Sequence, residues 1–401
     1  MKVTAIETIR SEEFPNILWV EVMTNEGIVG LGETFYGPDA AEGHIHGIIA
    51  PYLLGKDPRN IEAHQAFLTG YVGFVGSSAE MRGRSAIDIA LWDILGQSVK
   101  LPLCDLLGGR VREKIRVYNT CAGYSYVQTK VTQGTANFGL DARKGQYEDL
   151  DAFLNRAGEL AESLLEMGIS AMKIWPFDYA AERSSGYDIT AEELKSGLAP
   201  FEKIRKAVGD KMEIAAELHS LWSRPTAVKI ARALEPIRCM WVEDPVFMDH
   251  LHSIGEVARA TRSPIAVGET RGGRADFRGL LELEALSMVI LDLSWCGGIS
   301  EARKVATMAE TYHVPVAFHD CTGPVVLAVS THLALNSRNC WTQEMVRAFY
   351  YGWYHRFVTE LPPVERGMIT VPKGPGLGLA LQPGVKTGKG MRIRRSDAKG
   401  M

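Results

Sequence analysis

Three glutamates, Glu217, Glu243 and Glu269, recur at one interval, and each closes a short apolar run: EIAAE, CMWVE and IAVGE. Runs of that length read as buried parallel strands, and roughly 25 residues accommodate a strand, a crossover helix and two loops. Acids that end successive strands of a barrel converge on one face. Converging buried carboxylates cannot all stay ionised without a cation, so the spacing predicts a hard divalent metal, Mg²⁺. Each acid alone has a plainer reading. Glu243 could sit at a helix entry before Asp244-Pro245, and Glu269 could pair with Arg271 on a solvated loop. The matched spacing of the three is what favours a metal.

The remaining strand ends also carry polar or aromatic groups: Lys173 and Trp175, His219, Asp292, His319 and Glu344. Strand side chains alternate with period 2, so Glu217 and His219 should share a face. His319 follows VPVAF and Asp292 follows MVIL, on consecutive strands. An Asp–His pair fixes the imidazole tautomer and raises its basicity, which suits a general base; the alternative is that Asp292 caps its own loop. Lys173 could be a Schiff-base nucleophile, but near three carboxylates a charged ammonium that contacts a substrate anion fits better. The His44/His46 and His250/His252 pairs lack a third ligand and read as surface residues.

The elements that must position these groups alternate from Lys114 onward. IRVYNT, SAMKIW, EIAAEL, CMWVE, PIAVGE, MVILD, VPVAFH and NCWTQE are strand candidates, most of them separated by helical patterns such as ISEARKVATMAETYH. Eight strands alternating with helices indicate an α/β chain folded as a (β/α)8 barrel. A doubly wound open sheet would carry a Gly-rich phosphate loop after its first strand, and none is seen. Residues 1–112 differ: KVTAIETI and NILWVEVMT read as half-buried antiparallel strands, and SAIDIALWDILGQSV has helical periodicity. The expected division is an α+β capping unit over 1–112, the barrel over 113–363, and a Pro/Gly-rich tail over 364–401 that returns to the cap. Two long connections, 121–149 and 176–189, leave strand ends without periodicity and read as binding loops. Tyr36, in the segment Phe35-Tyr36-Gly37, should contact substrate where the cap closes the barrel.

A net charge of −4 leaves no electrostatic footprint for nucleic acid or an anionic membrane. The first residues lack the apolar core of a signal peptide, and six scattered cysteines without a CxxC pair read as reduced thiols, so a cytoplasmic location is expected. Cys296 and Cys321 lie near strand ends.

With MKIW, ELH, VEDP, GET, the Asp292/His319 pair and the late Glu344, the chain resembles the enolase superfamily, specifically its mandelate racemase subgroup. SAIDIALWDILGQ followed by LPLCDLLGG resembles that subgroup's capping domain. The resemblance implies that Glu217, Glu243 and Glu269 hold Mg²⁺. It also implies that His319, oriented by Asp292, removes the proton α to a carboxylate, and that Glu344 hydrogen-bonds a carboxylate oxygen of the product of that step. Two departures matter. Lys173-Ile174-Trp175 stands where Lys-x-Lys is frequent, which removes a second base and disfavours racemisation. Glu217-Leu218-His219 stands where Asp-x-Asn is common, and the match is to acid-sugar dehydratases with a histidine there. His219 would then protonate the departing 3-hydroxyl of an aldonate to give a 2-keto-3-deoxy acid, with Lys173, Trp175 and Tyr36 at the substrate. Epimerisation or cycloisomerisation on the same fold is the alternative, with a Lys173 aldolase less favoured. The family also makes a homo-oligomer the expected assembly.

Overall fold

The computed structural model describes residues 1–70, 76 and 78–397. Eight parallel strands form the core: β4 (Ile115–Thr120), β5 (Ala171–Ile174), β6 (Glu213–Glu217), β7 (Trp241–Glu243), β8 (Ile265–Val267), β9 (Met288–Leu291), β10 (Val316–Phe318) and β11 (Gln343–Met345). They pair in sequence order from β4 to β10, and β11 pairs in parallel with β4. A parallel bridge from Val316 to Cys340 joins the approach of β11 to β10, which closes the ring. Each strand candidate falls on one of these strands. β5 to β11 are buried at nearly every position, as expected of a parallel sheet covered on both faces.

The cap is an antiparallel sheet of β1 (Val3–Ser11), β2 (Ile17–Thr24) and β3 (Val29–Phe35). After the short hairpin β12 (Val364–Glu365) and β13 (Met368–Ile369), the tail ends in β14 (Met391–Asp397), which pairs antiparallel with β1. Half-burial of β1 and β2 was the expectation from their alternation; both are instead buried almost throughout. The reason is that both faces are covered. Leu18, Val20 and Val22 pack with cap residues such as Ile45 and Ile87, while Ile17 and Trp19 join the barrel-side core. Glu7 keeps its place under this cover through Lys386 and Arg395, at 2.7 and 2.6 Å.

Cap and barrel interlock by polar contacts that fix the site's roof. Glu33 on β3 accepts from Trp19 Nε1 at 2.7 Å and from the backbone N–H of Val326 at 2.9 Å. Val326 lies in the first turn of helix Pro324–Asn336, so the acid occupies a helix N-terminus where negative charge is favoured. Asn16 donates its amide to the carbonyls of Val127 and Lys130 in the first long loop. The far end of that loop is tied down by a bidentate pair, Arg347 Nε and Nη2 to Asp149 at 2.7 and 2.8 Å. Among the described residues no helix is long and apolar enough to cross a membrane.

His46 corrects its surface assignment. Its ring lies buried between Thr8 Oγ1 and Ser396 Oγ, at 2.9 and 2.8 Å, linking β1 to β14. Two hydroxyl partners meet the ring's polar requirement, so it can leave solvent. His250 and His252 are exposed, as expected.

Candidate active site

At the C-terminal ends of β6, β7 and β8, one carboxylate oxygen from each of Glu217, Glu243 and Glu269 lies within 4.8 Å of the others. Glu217 and Glu243 are fully buried and Glu269 is nearly so. Lys173, near the end of β5, projects into the cluster: its Nζ lies 2.6 Å from Glu243, 3.1 Å from Glu344 and 3.3 Å from Glu217. One ammonium cannot neutralise this many acids. Burial first, and then mutual repulsion, raises the carboxyls of Glu217 and Glu243, while Lys173 is held charged against its own burial by Glu243 and Glu344. Glu217 Oε2 makes no hydrogen bond although buried. A shortage of positive charge among all-oxygen donors fits a hard divalent cation.

His219 reaches this cluster by a route other than strand alternation. β6 ends at Glu217, and His219 adopts a left-handed backbone, φ 50°. Such a conformation is sterically costly for a non-glycine residue and concentrates at functional sites. Here it turns the His219 N–H back onto Glu217 Oε1 at 2.6 Å, while the ring Nδ1 meets Asp178 Oδ2 at 2.7 Å. Burial opposes charging of this imidazole, but Asp178 and Glu217 outweigh it and push it up to about 10.

A second pair of the same form stands on β9 and β10. His319 Nδ1 meets Asp292 Oδ2 at 2.7 Å, and Asp292 Oδ1 accepts from the N–H and the hydroxyl of Ser294 at 2.7 and 2.6 Å. Asp292 therefore holds the imidazole as well as its own loop. His319 Nε2 faces Glu269 at 3.4 Å. Burial opposes its protonation, yet Glu269 and then Glu344 raise it well above the usual imidazole range. β6 and β10 are four steps apart in an eight-strand ring. The two Asp–His pairs therefore occupy opposite walls.

Between them lies a cavity of about 250 Å³, lined by Lys173, Trp175, His219, Glu269, His319 and the cap's Tyr36, among others. Trp175 packs edge-on to His219, ring centroids 5.7 Å apart, and Trp295 lies against His319 at 5.3 Å. Glu344 is placed differently from the other groups. It is fully buried behind Lys173, bonded through one oxygen to Thr120 Oγ1 and through the other to the Asp320 N–H at 3.0 Å. Cys321 lines the cavity, whereas Cys296 is buried away from it. Arg271 lies 3.8 Å from Asp276, so the plainer reading of Glu269 as its loop partner gives way.

Sequence reasoning missed Asp178, Arg82 and Trp295. Asp178 opens a short helix, Asp178–Ser184, inside the second long loop; the loop was legible as functional, but nothing in the order of residues singled out this acid. Trp295 follows β9 in the barrel and packs on His319, whereas Arg82 reaches the cavity from the cap helix Ala79–Val99.

Residues 2–108 match the model of the mandelate racemase / muconate lactonizing enzyme N-terminal domain, and residues 156–385 that of the enolase C-terminal-domain-like family. The chain belongs to the mandelate racemase subgroup of the enolase superfamily. It is 31% identical over 393 residues to D-galactonate dehydratase of Ralstonia nicotianae, covering 94% of this chain and 92% of that protein. It is also 29% identical to D-xylonate dehydratase of Haloferax volcanii, covering 95% and 87% respectively. Among solved structures it is similar over the full length of both chains to an enolase of the mandelate racemase subgroup from Agrobacterium tumefaciens, with 50% identity and a TM-score of 0.88.

Proposed function

We propose that the chain is a Mg²⁺-dependent acid-sugar dehydratase that converts an aldonate-like substrate to a 2-keto-3-deoxy acid. The observation that carries this reading is the pair of Asp-held imidazoles on opposite walls above the three-glutamate cluster. The names of the dehydratase relatives support it. Glu217, Glu243 and Glu269 would hold the cation, which supplies Lewis-acid charge that makes the proton α to the substrate carboxylate removable.

His319 would take the C2 proton on Nε2 once Glu269, the acid that otherwise holds the ring protonated, is engaged by the cation, while Asp292 keeps the ring's other proton on Nδ1. His219, protonated and held by Asp178, gives a proton to the 3-hydroxyl as the C3–O bond breaks, so the group leaves as water. The enol left behind tautomerises to the ketone. Lys173 adds fixed positive charge at the base of the cavity, and Glu344 holds Lys173 and the backbone after His319 in place. The three carboxylates around Lys173 keep it charged, which argues against its use as a Schiff-base nucleophile.

Two imidazoles on opposite walls also suit epimerisation, in which one removes the C2 proton and the other returns one to the opposite face. The test is a Mg²⁺ assay across an acid-sugar library with semicarbazide detection of 2-keto acids, run in deuterated water. Keto-acid formation is the expected result. Deuterium entry at C2 without keto acid would replace dehydration with epimerisation.

A further inference from the structure

Among the described residues the cap contributes one cation to the cavity, and its surroundings differ from those of Lys173. Arg82 lies in the first turn of helix Ala79–Val99 and lines the same cavity as His219 and His319. Its guanidinium carbon sits 5.5 Å from the Trp295 ring centroid, and that ring packs on His319. Nη1 reaches the Tyr36 carbonyl at 3.4 Å, while the buried Nε has no hydrogen-bond partner. Among the described residues Arg82 forms no ion pair. The acids whose charge it feels are otherwise engaged, Asp292 by His319 and Ser294, and Glu80 by Ser78. Burial works against its charge, and arginine does not shed its proton to escape that cost. A half-buried guanidinium on a cavity wall is completed by an anion brought by the ligand.

We propose that Arg82 binds a second anionic group at the end of the substrate remote from the glutamate cluster, so that the substrate is a sugar acid charged at both termini. The proposal rests on the dehydratase reading and narrows its substrate class. Lys173 and the cation site lie on the barrel side and serve the carboxylate next to the reacting carbon; Arg82 enters from the cap and serves the other end. The Trp295 face and the Tyr36 carbonyl fix the plane of the guanidinium, whose fork matches either a carboxylate or a phosphate. A sugar diacid and a phosphorylated aldonate share this chemistry.

The test compares an aldonate, the diacid of the same configuration and the aldonate's terminal phosphate ester on the Mg²⁺-loaded full chain. Both kcat/KM for keto-acid formation and affinity by calorimetry are read. The wild type is expected to prefer a doubly charged acid, and which of the two it prefers identifies the group. Arg82→Gln should lower kcat/KM for that acid on the order of 100-fold more than for the aldonate, and Arg82→Lys should recover part of the difference. A wild type that prefers the aldonate, or an R82Q variant that leaves the ratio unchanged, overturns the proposal. An Arg82-dependent preference in calorimetry without dehydration of any acid would sink the dehydratase reading and leave this one standing. Dehydration of aldonates with no such preference would do the reverse.

Discussion

Asp292→Asn changes one atom of the site and tests which nitrogen of His319 carries the proton. Asp292 Oδ1 accepts two hydrogen bonds from Ser294, and Oδ2 accepts one from His319 Nδ1. An asparagine there must keep its carbonyl toward the Ser294 N–H, because turning its amide group that way sets donor against donor. Its NH₂ then faces His319 Nδ1 and selects the tautomer protonated on Nε2, the atom that must accept the C2 proton. The shape of the site is preserved while the base is disabled. Loss of a positioned general base costs roughly 10²–10⁴ in rate, and disabling a histidine through its tautomer falls at the upper end, about 10⁴. The measurement is kcat and KM for keto-acid formation, together with C2 deuterium exchange. Both turnover and exchange should fall by that factor with KM changed only slightly. A D292N enzyme within threefold of the wild type would show that His319 is not the base, or that Asp292 does not set its tautomer.

Removing the cation with a chelator should abolish turnover and Mg²⁺ should restore it, and Glu217→Gln, Glu243→Gln or Glu269→Gln should each weaken Mg²⁺ binding by at least tenfold in calorimetry. Unchanged affinity in all three variants would remove the cluster from consideration as a metal site. His219→Asn should lose keto-acid formation by roughly 10²-fold or more while keeping C2 exchange, since the proton can still be removed but the hydroxyl cannot leave; Asp178→Asn should show the same split more mildly. Equal loss of exchange and elimination would place His219 in the first step instead. His332 is buried neutral, accepting from the Cys104 N–H at 3.2 Å, and burial lowers it to about 4. Its imidazole is therefore neutral in the folded chain and becomes charged in the unfolded one as pH falls below 6.5, so stability present above 6.5 is lost progressively down to about pH 4. The loss is about 3 kcal/mol, read by comparing urea unfolding of the wild type and His332→Asn at pH 7 and 4.5. An identical pH dependence in the two proteins would refute it.

The barrel was legible because parallel strands buried on both faces are short continuous apolar runs, and their polar terminal residues stand out against them. Glu217, Glu243, Glu269, Asp292 and His319 all announce themselves this way. His219 was found for an incomplete reason. Alternation put it beside Glu217, whereas the backbone delivers it through a left-handed turn that no pattern of residue types encodes. Asp178 and Arg82 were hidden because what matters about them is which distant group they approach. An aspartate in a loop and an arginine at a helix start are ordinary locally; the packing of neighbouring barrel loops brings Asp178 to His219, and docking of the cap brings Arg82 to the cavity. The tail's return to the cap was readable as extended chain, but not its pairing with β1 or the burial of His46 between those strands.

The antiparallel match of β1 to β14 sets Ala5 against Asp397 and Ser11 against Met391. During synthesis β1 emerges before the barrel, yet its outer hydrogen-bonding edge finds its mate only once β14, which follows all eight barrel strands, has been made. Until then that unpaired strand edge is an open template for a neighbouring nascent chain. The enzyme's yield in a crowded cell should therefore hinge on how fast translation runs from β1 through the barrel to β14.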